Sequence, residues 1–384
     1  MRINWLLIAA LLQLPPSEKL SPEDSRDFHA EIRRLERLLV TAGDKSAIEY
    51  ALARTWASGG QYREATAALE KVTELNAGLD PSPDKIFTKL HGTREYEAII
   101  RRIKDQSPPI VRSRSAFTLG EKGLAPEGIA YDPQQKRFFF GGTLKPVITG
   151  CDLAGKCTPL VNDPALGEVL GLKVDPTSRT LWAAGHNDAG TTLLHFDVTS
   201  GALLGKYSLA GNHLFNDLVL NAQGDVFVTD TRGETAYWLS RRANRLEALH
   251  PALRINAANG IAISPDDKKL FVAGFPDGIT VIDLPTRQFR AIAHPPDLCL
   301  ATIDGLTFYK DSLIAIQNGA MVPRVVRLYL AKDLTGIGHF EILERRNPLF
   351  DGITTGAIAG DVFYFMANAL SPNPTRILGI DLTR

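Results

Sequence analysis

Cysteine is scarce in this 384-residue chain, which has three. That leaves room for one internal disulfide and excludes a disulfide framework. An excess of either charge is also missing, because 43 Lys and Arg residues balance 43 Asp and Glu residues. A neutral chain gives no electrostatic reason to bind nucleic acid, and none is expected as a partner. A long apolar run is absent too. After Arg2, the stretch from Trp5 to Leu14 is apolar apart from Gln13. It is too short to span a bilayer and resembles a secretory signal over residues 1–20. No small-x-small cleavage site follows it, since Gln13-Leu14-Pro15-Pro16 comes next. The alternatives are an uncleaved anchor or a merely apolar N-terminus. The signal reading makes the protein secreted or periplasmic.

What the chain has in abundance is internal repetition. Six strand-like runs open with related phrases: Glu127-Gly128-Ile129-Ala130, Leu170-Gly171-Leu172-Lys173, Asn216-Asp217-Leu218-Val219, Asn259-Gly260-Ile261-Ala262, Asp304-Gly305-Leu306-Thr307 and Thr355-Gly356-Ala357-Ile358. Their openings are 43, 46, 43, 45 and 51 residues apart. Periods near this length, with several strands in each, are the signature of propeller blades. After each phrase comes a turn such as Asp132-Pro133 or Gln223-Gly224, then a second apolar strand such as Phe138-Phe139-Phe140 or Val226-Phe227-Val228. Third strands often end in Asp plus an aliphatic residue: Asp152-Leu153, Asp197-Val198, Asp283-Leu284 and Asp381-Leu382. A shorter fourth strand follows. The last unit stops at Arg384 without room for its fourth strand, while Ala116-Phe117-Thr118-Leu119 precedes the first unit unpaired. That orphan strand is expected to complete the last blade and remove its open edge. The fold class is therefore mainly β, a six-bladed β-propeller over residues 115–384.

Residues 22–105 carry a helical pattern instead. Phe28, Ile32, Leu35, Leu38 and Leu39 fall on one face. Leu52, Ala53, Trp56, Gly60, Tyr62, Ala65 and Leu69 resemble one tetratricopeptide unit, two short helices joined at Gly59-Gly60. A further helix, Tyr96 to Ile103, is placed to cap the stack. Fewer than three such units is thin for a peptide groove, so a small packing module is expected, with docking of a protein partner as the alternative. The basic stretch from Arg101 through Arg112 and Arg114 reads as a solvated hinge beside Pro108-Pro109, with residues 106–114 as a linker. The chain is read as a monomer. Cys151 and Cys157 flank a plausible hairpin tip; they are either bridged or two reduced thiols, and Cys299 is left unpaired.

In a propeller the first strand of every blade lines the central channel, so the phrase openings meet at one mouth. Glu127, Asn216, Asn259 and Asp304 then surround the axis with two carboxylates and two amides. Such hard oxygens suit Ca²⁺, or another divalent metal, better than a soft ion. Any one Asn-Gly or Asp-Gly is an ordinary turn signal. Four oxygen-bearing residues in register are much harder to obtain that way.

The phrases Pro126-Glu127-Gly128, Phe215-Asn216-Asp217, Asn259-Gly260-Ile261 and Ile303-Asp304-Gly305 resemble the metal-binding phrases of the senescence-marker/gluconolactonase/luciferin-regenerating family and its paraoxonase relatives. The resemblance implies a catalytic divalent metal, usually Ca²⁺, on Glu127, Asn216, Asn259 and Asp304. It also implies hydrolysis of a small-molecule lactone or ester, with Asp304 as general base or as the group that orients water. Two departures stand out. Leu214 occupies the position where the gluconolactonase branch has an Arg that contacts sugar hydroxyls. Leu170 occupies the position of a paraoxonase histidine, although His186 resembles the second one. His186 and His213 are retained as catalytic candidates, although a lone histidine is more often a satisfied structural or surface residue. A metal-stabilised propeller that binds a small ligand without turnover, or one that serves as an interaction scaffold, is the competing reading.

Overall fold

β-Branched and aromatic residues alternate with turn formers along the C-terminal two thirds of the chain, and the strands fall where those runs lie. In the computed structural model, residues 22–41, 44–369 and 371–384 are described. The apolar segment expected over residues 1–20 as a secretory signal lies outside them. Among the described residues, no helix is long and apolar enough to cross a membrane.

Among the described residues, twenty-four strands form six four-stranded antiparallel sheets. The inner strands are Pro126–Asp132, Glu168–Asp175, Phe215–Leu220, Ile261–Ile263, Ile303–Tyr309 and Gly356–Ala359, one to each of blades one to six. Each packs against the inner strand of the next blade, and that of blade six packs against blade one. Blades one to five are simple meanders. Blade six takes its outermost strand from the start of the array: Arg114–Thr118 pairs with Arg376–Asp381, Thr118 opposite Arg376 and Arg114 opposite Gly379. The ring is thus closed by the strand expected to close it, which covers the edge of Arg376–Asp381.

The Asp that ends so many third strands has a local cause. Asp152 Oδ1 accepts from the N–H groups of Ala154 and Lys156, Asp197 Oδ1 from Thr199 and Ser200, Asp283 Oδ1 from Thr286, and Asp381 Oδ1 from Thr383. These are Asx turns, in which a short carboxylate stands in for a backbone acceptor. The hairpin expected at Cys151 and Cys157 is present. The two residues are directly paired and joined by a disulfide.

Before the propeller come α1 (Pro22–Thr41), α2 (Lys45–Ser58), α3 (Tyr62–Leu75), a 3₁₀ turn (Lys85–Leu90) and α4 (Arg94–Gln106). Asp44 caps α2 by accepting from Ala47 N–H, and Thr93 caps α4 by accepting from Tyr96 N–H, each satisfying an otherwise free helical donor. Helices α2 and α3 pack as a hairpin whose joint falls at Gly59-Gly60. Their buried face does not end within the helices. Tyr50, Leu69, Val72, Leu79, Phe87 and Tyr96 share one apolar cluster with Cys299, Ala301, Ala320, Met321 and Val322 of the propeller.

The segment read as a solvated hinge is tied down. Ile110 exchanges backbone hydrogen bonds with Arg345 of blade five. The fully buried Glu344 carboxylate accepts from Arg112 N–H, Ser113 N–H, the Ser113 hydroxyl and Asn347 Nδ2. The side chains of Arg101, Arg102, Lys104, Arg112 and Arg114 are exposed, as a solvated stretch requires, while a buried carboxylate on blade five holds its backbone.

Candidate functional site

The openings of the six inner strands crowd the axis so closely that glycine is required beside them. A Cβ on Gly128 would lie 2.1 Å from the Leu170 carbonyl oxygen of blade two, and one on Gly260 would lie 2.5 Å from the Asp304 carbonyl oxygen of blade five. The recurrent glycine therefore serves packing between neighbouring inner strands, while the residue before it is the one offered to the axis.

Blade three breaks the rule by placing Asp217 at the glycine position. Its side chain is 6 % exposed, and Oδ1 accepts from its neighbour Leu218 N–H at 2.8 Å. The N–H of Ile261, in blade four, donates to the same carboxylate. Asp217 thus stitches two inner strands together. Burial pushes its carboxyl above the ordinary value, while Lys173 opposes that shift.

Glu127 opens blade one and is 2 % exposed. Its backbone carbonyl accepts hydrogen bonds from the Thr354 and Thr355 hydroxyls at 3.2 and 2.7 Å, so blade six holds it in place across the closure. Its side-chain Oε2 is buried without a hydrogen-bond partner. Burial raises the carboxyl well above its usual range, and the charges of Asp304, Asp217 and Glu168 raise it further.

Asp304 opens blade five and is 7 % exposed. Burial pushes it up to about 6, with Asp217 adding to the push and donation from the Asn318 and Asn259 side chains opposing it. Asn318 Nδ2 donates to Asp304 Oδ2 at 2.5 Å and to the Ile353 carbonyl at 2.6 Å. Asn259 donates to Asp304, leaving its own Oδ1 buried without a donor. Asn216 is 1 % exposed and spends its Nδ2 on Thr231 Oγ1 at 3.1 Å. Thr231 in turn donates to the Ala258 carbonyl just before Asn259. The acceptor end of the Asn216 amide is the end left for a ligand.

The structure therefore links Asn259 directly to Asp304, and couples Asp304 electrically to Glu127. Three buried acceptors in this group lack donors: Glu127 Oε2, Asn259 Oδ1 and Asn318 Oδ1. Unpaired buried acceptors beside mutually repelling carboxylates form an environment that a hard cation would satisfy. Among the described residues, no three His, Cys, Asp or Glu side chains gather as a metal cluster. A cation here would depend on amide oxygens as much as on carboxylates, and softer metals find no purchase.

The two histidines lie differently. His213 Nδ1 meets Asp230 Oδ2 at 2.5 Å and its Nε2 meets the Ala210 carbonyl at 3.1 Å, so both ring nitrogens are engaged within blade three. Asp230 also accepts from Leu214 and Gly233 N–H, which makes this a loop-holding arrangement. His186 is half-buried and sits opposite Glu168 in the strand register of blade two. Its Nδ1 has no partner. Burial, helped by the Arg232 guanidinium, holds the ring below its ordinary value. Arg232 also opposes the rise that burial imposes on Glu168. His186, Glu168 and Arg232 thus form a polar, partly exposed lip, with Glu168 acting on Glu127. Leu170 and Leu214 are core residues, 0 % and 3 % exposed.

Sequence reasoning missed Asp217, Glu168, Arg232 and Asn318. Asp217 was signalled by its place, where the other phrases carry glycine. Asn318 could have been found by pairing Ile303–Tyr309 with Ser312–Gln317 across the two-residue turn at Lys310-Asp311, which brings Gln317 opposite Ile303.

No family model matches this sequence, and no curated protein matches it. Solved structures do share its shape. The gluconolactonase of Xanthomonas campestris superimposes with a TM-score of 0.51 at 18% identity, over 71% of this chain and 97% of that one. Luciferin-regenerating enzyme gives 0.51 at 15% identity over 71% and 95%. The major allergen Mala s 1 of Malassezia sympodialis gives 0.55 at 15% identity over 70% and 96%. The propeller here is accordingly similar in architecture to these six-bladed propellers, and the helical segment is additional to the part they share.

Proposed function

We propose that the protein is a calcium-dependent hydrolase of small-molecule lactones or esters, with Glu127, Asn216, Asn259 and Asp304 holding the cation at the channel mouth. The observation that carries this reading is the pair of donorless buried acceptors, Glu127 Oε2 and Asn259 Oδ1, beside a second buried carboxylate, Asp304. A cation in that position would polarise the substrate carbonyl and stabilise charge developing on its oxygen.

The remaining work falls to the chain's own groups. Asn259 and Asn318 both donate to Asp304 and fix its orientation. Asp304 takes a proton from the attacking water or orients that water. Burial raises its carboxyl toward the range useful to a base, while cation ligation works against that shift. His186, at the lip with an unpartnered Nδ1, is a candidate to contact the leaving group. His213 holds the Asp230 loop and is assigned no step. The apolar Leu170 and Leu214 supply neither a histidine pair nor a contact for sugar hydroxyls, so the substrate is a lactone or ester bound through its carbonyl. The expected setting is secreted or periplasmic, consistent with the Cys151–Cys157 disulfide.

Those same two leucines, both buried, favour a second reading in which the site binds a small ligand without turnover. Turnover of a panel of lactones and aryl esters, with calcium and with chelator, separates the two. Chelator-sensitive hydrolysis supports the first reading; calcium binding without hydrolysis of any panel member supports the second.

A further inference from the structure

We propose that Asn318 Oδ1 is a fifth oxygen donor to this cation, and that the helical module sets the cation affinity by holding the turn on which Asn318 sits. The proposal rests on the cation reading above and extends it to a residue outside the repeated phrases.

Asn318 directly follows the second strand of blade five, which ends at Gln317. Both partners of its Nδ2, Asp304 Oδ2 and the Ile353 carbonyl, are acceptors. The amide is therefore fixed end for end, with nitrogen toward those two oxygens. Its Oδ1 is buried with no donor. A role as a cross-link between blades five and six explains Nδ2 completely and Oδ1 not at all. The oxygen belongs to the same amide that grips Asp304, and Asp304 is also gripped by Asn259, whose Oδ1 is likewise donorless. Two amides that each spend nitrogen on one carboxylate and keep a bare buried oxygen form a pocket for a hard cation.

The turn after Asn318 is where the helices attach. Met321 N–H bonds back to the Asn318 carbonyl. Leu79, just past α3, forms a β-bridge with Met321. Val322 N–H donates to the Gly78 carbonyl at 2.8 Å, and Asp80 N–H donates to the Ala320 carbonyl at 2.6 Å. The segment leading into Asp304 is clamped from the same side. Asp44, the cap of α2, accepts from Leu300 N–H at 3.0 Å. Gln317 Nε2 donates to the Cys299 and Ala301 carbonyls, and the buried Arg324 donates to Gln317 Oε1 and the Cys299 carbonyl. Both arms that present oxygens from blade five are thus braced by the helical module. By linkage, a brace that positions ligands for the cation is itself tightened when the cation binds.

The test uses the full chain, stripped with chelator and titrated with Ca²⁺, and then with Tb³⁺ as a luminescent hard cation. Tb³⁺ lifetimes in H₂O and D₂O count the waters on the bound ion. Asn318→Ala is expected to weaken Ca²⁺ binding about tenfold or more and to add about one water to bound Tb³⁺, since each lost ligand is replaced by solvent. Asn318→Asp, which keeps the oxygen, is expected to leave the water count at the parental value. An unchanged count in Asn318→Ala overturns direct ligation. Should that variant not fold, Asn318→Ser shortens the arm and the same rise is expected. Met321→Ala loosens the brace without touching the ligands, and is expected to weaken Ca²⁺ binding severalfold at an unchanged water count. Parental affinity in folded Met321→Ala overturns the role of the helices. A parent that binds neither ion overturns the four-residue site itself, an outcome distinct from the others.

Discussion

Glu127 and Glu344 are equally hidden from water, 2 % and 0 % exposed, yet they live opposite lives. Glu344, near the end of the outer strand of blade five, collects four donors from Arg112, Ser113 and Asn347. Glu127, on the axis, keeps one oxygen without any donor and faces other carboxylates. A buried charge is tolerated when it is paired or hydrogen-bonded. Glu344 meets that condition within the chain and serves the fold. Glu127 does not, and a partner from outside the chain is what would complete it. Satisfaction, more than burial, separates these two carboxylates.

The comparison can be broken most directly at the axis. Asp304→Asn keeps an oxygen but removes a charge and a base, so hydrolysis is expected to fall about 10²-fold or more, measured as initial rates on the responsive substrate of the panel. Calcium binding weakens but persists. Wild-type turnover in this variant would remove Asp304 from the chemistry.

At the other pole, Glu344→Ala strands the donors of Arg112, Ser113 and Asn347. It is expected to cost about 3 kcal/mol of stability in chemical denaturation. Calcium affinity should not move. A matching loss of affinity would mean that the two regions are not separable.

Calcium itself sharpens the contrast. Binding to the native state alone adds RT ln(1 + [L]/Kd), about 2.7 kcal/mol at a hundredfold excess over Kd. Thermal unfolding should show this gain in the parent and in Glu344→Gln, and show most of it lost in Glu127→Gln. A chelator that leaves the parent's melting temperature unchanged would argue against a native cation.

A smaller effect follows from titration. Glu127 and Asp304 have folded-state values above those of free carboxyls, Asp304 at about 6. The folded, cation-free protein therefore holds protons that the unfolded chain has already released. For Asp304 this stability is fully present below about pH 4 and is lost as pH rises through about 6, and Glu127 shifts in the same direction. The stripped protein is expected to melt at a higher temperature at pH 5 than at pH 8, and saturating calcium should narrow that gap. Melting curves with the opposite order in chelator would count against the repulsion at the axis. The smallest effect is expected from His186→Ala, less than about tenfold in rate, because Leu170 leaves it without a histidine partner. Abolished turnover in that variant would move the chemistry to the lip.

Much of this contrast could be read from the sequence, and its limits are physical. The six phrases and the orphan strand before them gave the ring and its closure, because both are properties of spacing along one chain. Asn259 and Asp304 occupy equivalent places in their phrases, so their meeting follows from the repeat. Asn318 lies outside any phrase, and its place depends on a hairpin register that shifts between Ile303 and Gly305. Asp217 stands out in its phrase by replacing glycine, but what it bonds to follows only from the contact between inner strands. The attachment of the helices to residues 299–301 and 320–322 has no local signal at all. It arises from apolar faces that close only after the blades are in place. The same holds for the supposed hinge, whose partner Glu344 lies far along the chain.

The borrowed strand Arg114–Thr118 has a consequence in time. It leaves the ribosome before any blade exists, and its partner Arg376–Asp381 is made only after the strands of blades one to five. Contacts of such sequence separation form late and slowly. During synthesis the early strand must wait as an unpaired edge, with the helices on its N-terminal side lacking the surface they will cover. Blades one to five can assemble in order, each on the one before. The last event then locks the circle, the blade-six threonines against Glu127 and the mouth of the channel in a single step, so that a truncated chain lacks the site as well as the final blade.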